Sequence, residues 1–269
     1  MRAEIIAIGD EVLIGQVVNT NAVWLAQRLN ELGIAVLRMT TVQDEREAIR
    51  AGVAAGLEVA DLVLITGGLG PTKDDITKHA LAEFFGMELA FHAESFANIE
   101  RLFATFGRVA DDRYRIQAAM PVGATVLINA VGTASGMWFE RAGKIVVSMP
   151  GVPREMQYLM QSEVLPRLAQ RGNLPTIVHR TLQTMGKGET DLSDMLEELE
   201  TKMLPAHIKL AYLPDTVLGR VRLRLTGRGA DKAVLEREID DLQAYMLRVL
   251  GSYCYAVGEQ SIEEAVGAL

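Results

Sequence analysis

Residues 60–77 read ADLVLITGGLGPTKDDIT, so that an apolar run, a glycine loop and a helix start follow one another without a break. Residues 63–65 are apolar and mostly β-branched, which favours a buried parallel strand. The three glycines within residues 67–70 let the backbone turn sharply and leave no side chain between its N–H groups and a ligand. This order predicts an α/β fold with an anion site where the strand ends and the helix begins.

The polar residues after the loop suit phosphate chemistry. Thr72 can cap a helix, with Asp75 three residues later as its capping-box partner, and Lys73 adds a positive charge beside the helix dipole. Asp74 and Asp75 are adjacent carboxylates, and carboxylates with bound phosphates are typical ligands of Mg²⁺ or Mn²⁺. A purely structural role, with the loop serving packing and Thr72 serving the helix, is the alternative. The loop matches neither a Walker A sequence nor GxGxxG, which argues against a P-loop NTPase or a Rossmann dehydrogenase.

A second acidic pair follows the first predicted strand, residues 4–8. That strand ends in Gly9, Asp10 and Glu11, and ligands of open α/β sheets bind at the carboxyl edge of the strands. Asp10 and Glu11 are therefore predicted to face the first pair across a crevice. The structural alternative is that Asp10 caps a turn and Glu11 is solvated.

Two later turns also have the composition of ligand-binding loops. Asn129 opens a run of small residues, 129–136, that lets a ligand or another backbone approach closely. Residues 149–156, MPGVPREM, repeat the order of strand, tight turn and helix, with Pro153 suited to the first helical turn. We interpret Glu155 in that turn as compensation of the helix dipole rather than as a ligand contact.

The pattern changes after residues 172–175, GNLP, which have the composition of a linker. The predicted order that follows is β-α-β-β-α-β, typical of a small α+β sandwich of the split-βαβ type. The predicted domains are residues 1–172 and 176–258, with a C-terminal tail at 259–269.

Composition narrows the class of protein. The net charge of −8 argues against non-specific nucleic-acid binding, which depends on neutralising phosphates. Cys254 is the single cysteine of the sequence, so neither an intrachain disulfide nor a cysteine metal cluster can form. No signal peptide is recognisable, and no apolar run approaches the roughly 20 residues of a membrane span. We expect a cytoplasmic protein with a small-molecule partner, and neither a nucleic-acid nor a membrane partner.

Three long motifs in this order resemble the competence/damage-inducible CinA family: GDEVLIGQVVNTN (9–21), TGGLGPTKDDIT (66–77) and MPGVPREM (149–156). The resemblance implies a three-layer αβα domain of the MoaB/MogA-like, molybdopterin-binding type, followed by a small KH-type domain. Residues 186–190, GKGET, match the family's G-x-G-E-S/T turn, but the GxxG loop of RNA-binding KH domains is missing. Members often continue into a domain that deamidates nicotinamide mononucleotide. This chain ends where that domain would begin, so we expect a natural short form or a truncated chain without deamidase activity.

The activity that the resemblance implies is a metal-dependent pyrophosphatase, a hydrolase that converts ADP-ribose to AMP and ribose 5-phosphate. The expected cofactor is Mg²⁺, Mn²⁺ or Co²⁺, and the expected assembly is a homo-oligomer, a dimer. The implied catalytic residues are Asp75, Lys73 and Asp10, and the metal ligands are Asp75, Asp74 and Asp10. The implied substrate-binding residues are Gly67, Gly68, Gly70, Thr72, Asn129, Gly151 and Pro153.

Two other functions stay open at the level of sequence. The first is a molybdopterin-binding or adenylylating protein of the MoaB/MogA type, although Leu69 stands where the molybdopterin enzymes have Thr. The second is a non-catalytic nucleotide-binding module whose second domain serves oligomerisation. The sequence does not separate the metal-ligating carboxylate from the catalytic base, and the four histidines lie outside the three motifs.

Overall fold

A computed structural model describes residues 1–70, 76–171, 175–215, 219–258, 260 and 262–267. The chain divides into two compact units, Met1–Leu174 and Pro175–Leu269. No helix in the described ranges combines the length and the apolar character that crossing a membrane requires.

The strands of the first unit follow the predicted alternation of strands and helices. They are β1 (Arg2–Ile8), β2 (Ala35–Val42), β3 (Leu62–Thr66), β4 (Leu89–Phe91), β5 (Ala119–Pro121), β6 (Thr125–Leu127), β7 (Gly136–Arg141) and β8 (Lys144–Met149). Six of them form one sheet in the order β2-β1-β3-β8-β7-β6, and β4 pairs with β5 in a separate two-stranded sheet. The pairs β1–β2, β1–β3 and β3–β8 are parallel, whereas β6–β7 and β7–β8 are antiparallel. The carboxyl ends of β1, β3 and β8, where the three motifs begin, therefore meet at one edge.

Helices cover this sheet on both faces. They are α1 (Asp10–Leu13), α2 (Thr20–Glu31), α3 (Arg46–Val59), α4 (Thr77–Phe85), α5 (Ala93–Thr105), α6 (Asp112–Gln117), α7 (Pro153–Leu159) and α8 (Leu165–Ala169). Consecutive residues of β1 show the two faces: Ile5 packs with Leu25 of α2, and Ile6 packs with Val53 of α3. A central sheet with a core on each side is the predicted three-layer αβα arrangement.

The predicted strands at residues 4–8 and 63–65 lie within β1 and β3, whereas the pairing of β4 with β5 was not predicted. Helix α6 ends at Gln117, and Ala119–Pro121 pairs with Leu89–Phe91 as β5 and β4. Strands of three residues have no readable alternation, so the sequence pattern did not reveal them.

The second unit has the predicted order of elements. They are β9 (Thr176–Met185), α9 (Glu189–Glu198), β10 (Ile208–Asp215), β11 (Arg220–Gly229), α10 (Lys232–Leu250), β12 (Cys254–Val257) and the short helix α11 (Ile262–Gly267). The sheet order is β10-β11-β9-β12, and every pair in it is antiparallel. Leu235, Ile239 and Met246 of α10 are buried in the core of this unit, as the spacing of its apolar residues predicts.

Candidate functional site

The glycine loop after β3 has a backbone that other residues cannot readily adopt. Gly67 has φ +118° and Gly68 has φ +64°, both in the region that favours glycine. A Cβ on Gly67 would lie 2.3 Å from the carbonyl oxygen of Ile8 at the end of β1. The glycines therefore allow the loop to pass directly against the end of the neighbouring strand.

Hydrogen bonds fix both ends of this loop. The Gly67 N–H donates to Met149 O at 3.1 Å, so that this group is used within the protein. The Thr77 N–H donates to Gly68 O at 3.2 Å, and the Thr77 hydroxyl donates to Gly67 O at 3.2 Å. Gly67 thus shapes the loop rather than offering its N–H to a ligand, and the fully buried Thr77 holds the loop to α4.

A second network joins the three motifs to one another. The Asn21 side-chain amide donates to Gly151 O at 2.8 Å and to Thr66 Oγ1 at 3.1 Å. Thr66 Oγ1 in turn donates to Pro150 O at 2.9 Å. The buried Asn21 Oδ1 has no hydrogen-bond partner within the described part of the chain. Asn21 lines a small pocket of about 130 Å³ together with Thr66, Gly151 and Pro153.

A larger cleft of about 440 Å³ opens between the motifs. Its lining comes from the ends of β1, β2, β3 and β8 and from the loop of small residues: Ile8, Glu11, Asp44, Gly67, Gly68, Leu69, Gly70, Thr133, Ala134, Pro150, Gly151, Val152 and Glu155. The structure therefore brings the predicted residues Gly67, Gly68, Gly70 and Gly151 together, and Pro153 lines the adjoining small pocket. The predicted site residues Thr72, Lys73, Asp74 and Asp75 lie outside the described residues.

The carboxylates along the described lining of the cleft are Glu11, Asp44 and Glu155. Asp10 is exposed on α1 and does not belong to this lining. Neighbouring positions of a helix diverge by about 100°, so the two members of this acidic pair do not share a direction. Glu11, rather than Asp10, is the carboxylate of the first motif that reaches the cleft.

Glu155 is the functional candidate that sequence reasoning missed. It lies half-buried in the first turn of α7, and Asn129 Nδ2 donates to its Oε2 at 2.6 Å. Burial raises the pKa of the Glu155 carboxyl, and the hydrogen bond from Asn129 offsets part of that rise. The local sequence gives no sign of this contact, because Asn129 lies 26 positions upstream.

Asn129 acts inside the protein in this structure. Its side chain is fully buried, donates to Ala134 O at 3.0 Å as well as to Glu155, and accepts from the Val131 N–H at 3.2 Å. Both ends of its amide are bonded within the protein, so Asn129, predicted to bind substrate, supports the loop and Glu155 in this structure.

The donor atoms of the cleft fit a hard divalent cation in chemical type. Carboxylate oxygens are the ligands that Mg²⁺ and Mn²⁺ prefer. No group of three or more His, Cys, Asp or Glu side chains in the described ranges is close enough to hold a metal ion by itself. The predicted metal ligands Asp74 and Asp75 belong to segment 71–75, outside the described residues.

Comparisons with known proteins agree with the two units. Residues 4–170 match the model of a probable molybdopterin binding domain, and residues 179–256 match the damage-inducible protein CinA KH domain. These matches confirm the predicted MoaB/MogA-like type of the first unit and the KH-type second unit.

Curated relatives match the chain from end to end. A CinA-like protein of Flavobacterium psychrophilum is 41% identical over 272 residues, and one of Chloroherpeton thalassium is 42% identical over 273. Each alignment covers 100% of this chain and 64% of the relative, so the chain spans somewhat less than two thirds of the length of these proteins. The crystal structure of CinA from Thermoplasma acidophilum, described as of unknown function, is 34% identical with a TM-score of 0.56. The structural alignment covers 62% of this chain and 97% of the Thermoplasma acidophilum chain.

Proposed function

This chain belongs to the CinA family, and we propose that its first unit is a divalent-metal-dependent pyrophosphatase that hydrolyses ADP-ribose to AMP and ribose 5-phosphate. One observation carries the proposal: a cleft of about 440 Å³ in which a glycine loop at a sheet edge meets three carboxylates. Backbone N–H groups of a glycine loop can bind the oxygens of a diphosphate, and carboxylates can accept a proton or bind a divalent cation during its hydrolysis.

The residues of the cleft have separate tasks in this proposal. Gly68 and Gly70 let the loop backbone approach the diphosphate, and Gly67 sets the turn that places them. Thr72 adds a hydroxyl donor, and the ammonium of Lys73 stabilises charge on the transferring phosphoryl group. In the small pocket, Asn21, Gly151 and Pro153 would contact the ribose of the substrate.

Asp75, together with Asp74, would hold the divalent cation, whereas Asp10 does not line the cleft and is not assigned to the cation. A cation bound there supplies positive charge against the diphosphate and lowers the pKa of a coordinated water. The acidic side chains of the cleft keep this region negative until the cation is bound, so we expect no turnover of ADP-ribose without metal.

The first test is phosphorus NMR of the purified chain with ADP-ribose, with Mg²⁺, Mn²⁺ or Co²⁺ and with EDTA. We expect the AMP and ribose 5-phosphate resonances with metal and an unchanged spectrum with EDTA. An unchanged spectrum with all three metals would reject the pyrophosphatase.

Asp75→Asn tests the metal site directly. We expect it to abolish metal-dependent turnover while circular dichroism and the melting temperature stay at their wild-type values. The matched control is Asp241→Asn on the exposed face of α10 in the second unit, which we expect to keep full activity. Normal turnover by Asp75→Asn would remove Asp75 from the mechanism.

A binding role of the MoaB/MogA type is the second candidate, and the match of residues 4–170 to a molybdopterin binding domain favours it. Tight binding of a pterin in calorimetry, without hydrolysis of ADP-ribose, would support this role. Nucleotide binding that is indifferent to divalent metal, with no product formed, would instead indicate a non-catalytic module.

A further inference from the structure

We propose that Glu155 is the general base that accepts a proton from the water attacking the diphosphate. The inference rests on the proposed pyrophosphatase function and names the group that the sequence left unassigned. It starts from the position of Glu155 at the N-terminal turn of α7, where its side chain lines the same cleft as the glycine loop.

The carboxylate of Glu155 is held in one orientation. Asn129 Nδ2 donates to Oε2 at 2.6 Å, and Asn129 is itself fully buried with its remaining bonds made to Ala134 and Val131. A catalytic group works best when its own supports are fixed in this way.

The loop that carries Asn129 is also tied to α5. The Asn98 side-chain amide donates to Asn129 O at 2.8 Å and to Gly132 O at 3.3 Å. Arg101 donates to Ala130 O at 3.0 Å. The position of Glu155 is thus built from a helix start, a buried amide and an anchored loop, far apart in the sequence.

Gly132 makes the room for this carboxylate. A Cβ at position 132 would lie 2.1 Å from both Cδ and Oε2 of Glu155. The backbone of Gly132 is not in the left-handed region, so the requirement for glycine here is steric space. The absent side chain gives the carboxylate its place between the loop and the cleft.

Burial changes the basicity of Glu155 in the direction that suits a general base. Burial moves its pKa upward from the ordinary value of a glutamate, toward the pH at which a base is most effective. The charged groups in this region are Glu11 and Asp44 of the cleft lining, Arg154 on the same helix as Glu155, and Arg101 of α5, which donates to Ala130 O in the loop that carries Asn129. Glu11 is exposed on α1, whereas Glu155 combines partial burial with a fixed hydrogen bond.

The proposed step balances in atoms and charge. The water oxygen forms a bond to one phosphorus of the diphosphate, and its proton passes to the Glu155 carboxylate. The bond from that phosphorus to the bridging oxygen breaks, and the bridging oxygen leaves with the electron pair on the other phosphate. The protonated Glu155 then returns its proton to solvent.

The test compares Glu155→Gln with the matched variant Glu163→Gln, whose side chain pairs with Arg167 at the surface. General-base catalysis contributes about 10²- to 10⁴-fold, so we expect kcat of Glu155→Gln to fall within that range while KM changes little. The wild-type kcat/KM should fall as pH drops through the raised pKa of Glu155, and this acidic limb should be absent from the glutamine variant. Glu163→Gln should keep both the rate and the limb, since surface pairs contribute little.

A second measurement separates a chemical role from a structural one. Glu155→Ala leaves an open space, and added formate should restore part of its turnover by supplying a carboxylate to the same place. If the wild type hydrolyses ADP-ribose and Glu155→Gln does so at the same rate, the base assignment is refuted and the pyrophosphatase function is retained. A wild type that does not hydrolyse ADP-ribose would refute both, so the two failures are distinguishable.

Discussion

Gly132→Ala is the most direct probe of the arrangement around Glu155, because it adds one methyl group and no charge. The new Cβ would lie 2.1 Å from the Glu155 Cδ, whereas ordinary contact begins at about 3.4 Å. The carboxylate must therefore retreat by about 1.3 Å. The 2.6 Å bond from Asn129 then lengthens beyond the usual range of a hydrogen bond.

The expected loss of activity follows from this displacement. A catalytic group misplaced by about 1 Å can cost about 100-fold in rate, which equals about 2.7 kcal/mol in activation free energy. The cost in folding stability should be smaller, at most about 1–2 kcal/mol, because the carboxylate is the free end of a flexible side chain and regains solvent as it loses its bond.

Steady-state hydrolysis of ADP-ribose and thermal unfolding of the same sample measure the two effects. The control is Gly188→Ala, because a Cβ at Gly188 meets nothing within 4 Å and its φ of −77° is open to alanine. In the Glu155→Gln background, Gly132→Ala should add little further loss, since both changes act on one group. A kcat within twofold of the wild type would refute the reasoning, as would fully additive losses in the double variant.

Two further predictions concern stability. Gly67→Ala should destabilise the protein by more than about 3 kcal/mol in denaturant unfolding, because a left-handed φ is combined with a 2.3 Å contact to Ile8 O. Gly143→Ala, with φ +77° and open space, should cost only the conformational strain of about 1–2 kcal/mol, and equal losses in the two variants would contradict this view. Burial lowers the pKa of Lys78 to about 8, so the folded state disfavours its charge below pH 8, and this penalty fades as pH rises toward 10.5. Lys78→Met should therefore raise the free energy of unfolding at pH 7 by up to about 2 kcal/mol, a figure that allows for the lost hydrogen bond to Gln117 O. The wild-type free energy of unfolding should rise between pH 8 and 10.5, and this rise should be smaller in the variant. A variant with the wild-type pH dependence would exclude this explanation.

Much of the fold could be predicted because its signals are local. The predicted strand at 63–65 lies within β3, and the predicted strand at 4–8 lies within β1, Arg2–Ile8. Apolar runs, 3.6-residue spacing and glycine turns each arise from a few neighbouring positions. The pairing of β4 with β5 escaped prediction because three-residue strands are defined by their partner across the sheet rather than by their own pattern.

The residues of the site also fall into those that the sequence predicted and those that it did not. The order of the motifs was enough to predict that Gly67, Gly68 and Gly70 would meet Gly151, since the ends of parallel strands share an edge. It was not enough to choose between Asp10 and Glu11, because that depends on the direction in which a short helix turns each side chain.

By itself, then, the sequence determined the two-part architecture, the glycine turn at the end of β3 and the family to which the chain belongs. These features rest on short-range steric preferences and on motif order. Three contacts are visible only in the tertiary structure. Asn129 donates a hydrogen bond to Glu155, Gly132 leaves the space that the Glu155 carboxylate occupies, and the Gly67 N–H donates to Met149 O. Such contacts join residues distant in sequence, and their geometry is fixed by the packing of loops against the sheet edge rather than by any local pattern.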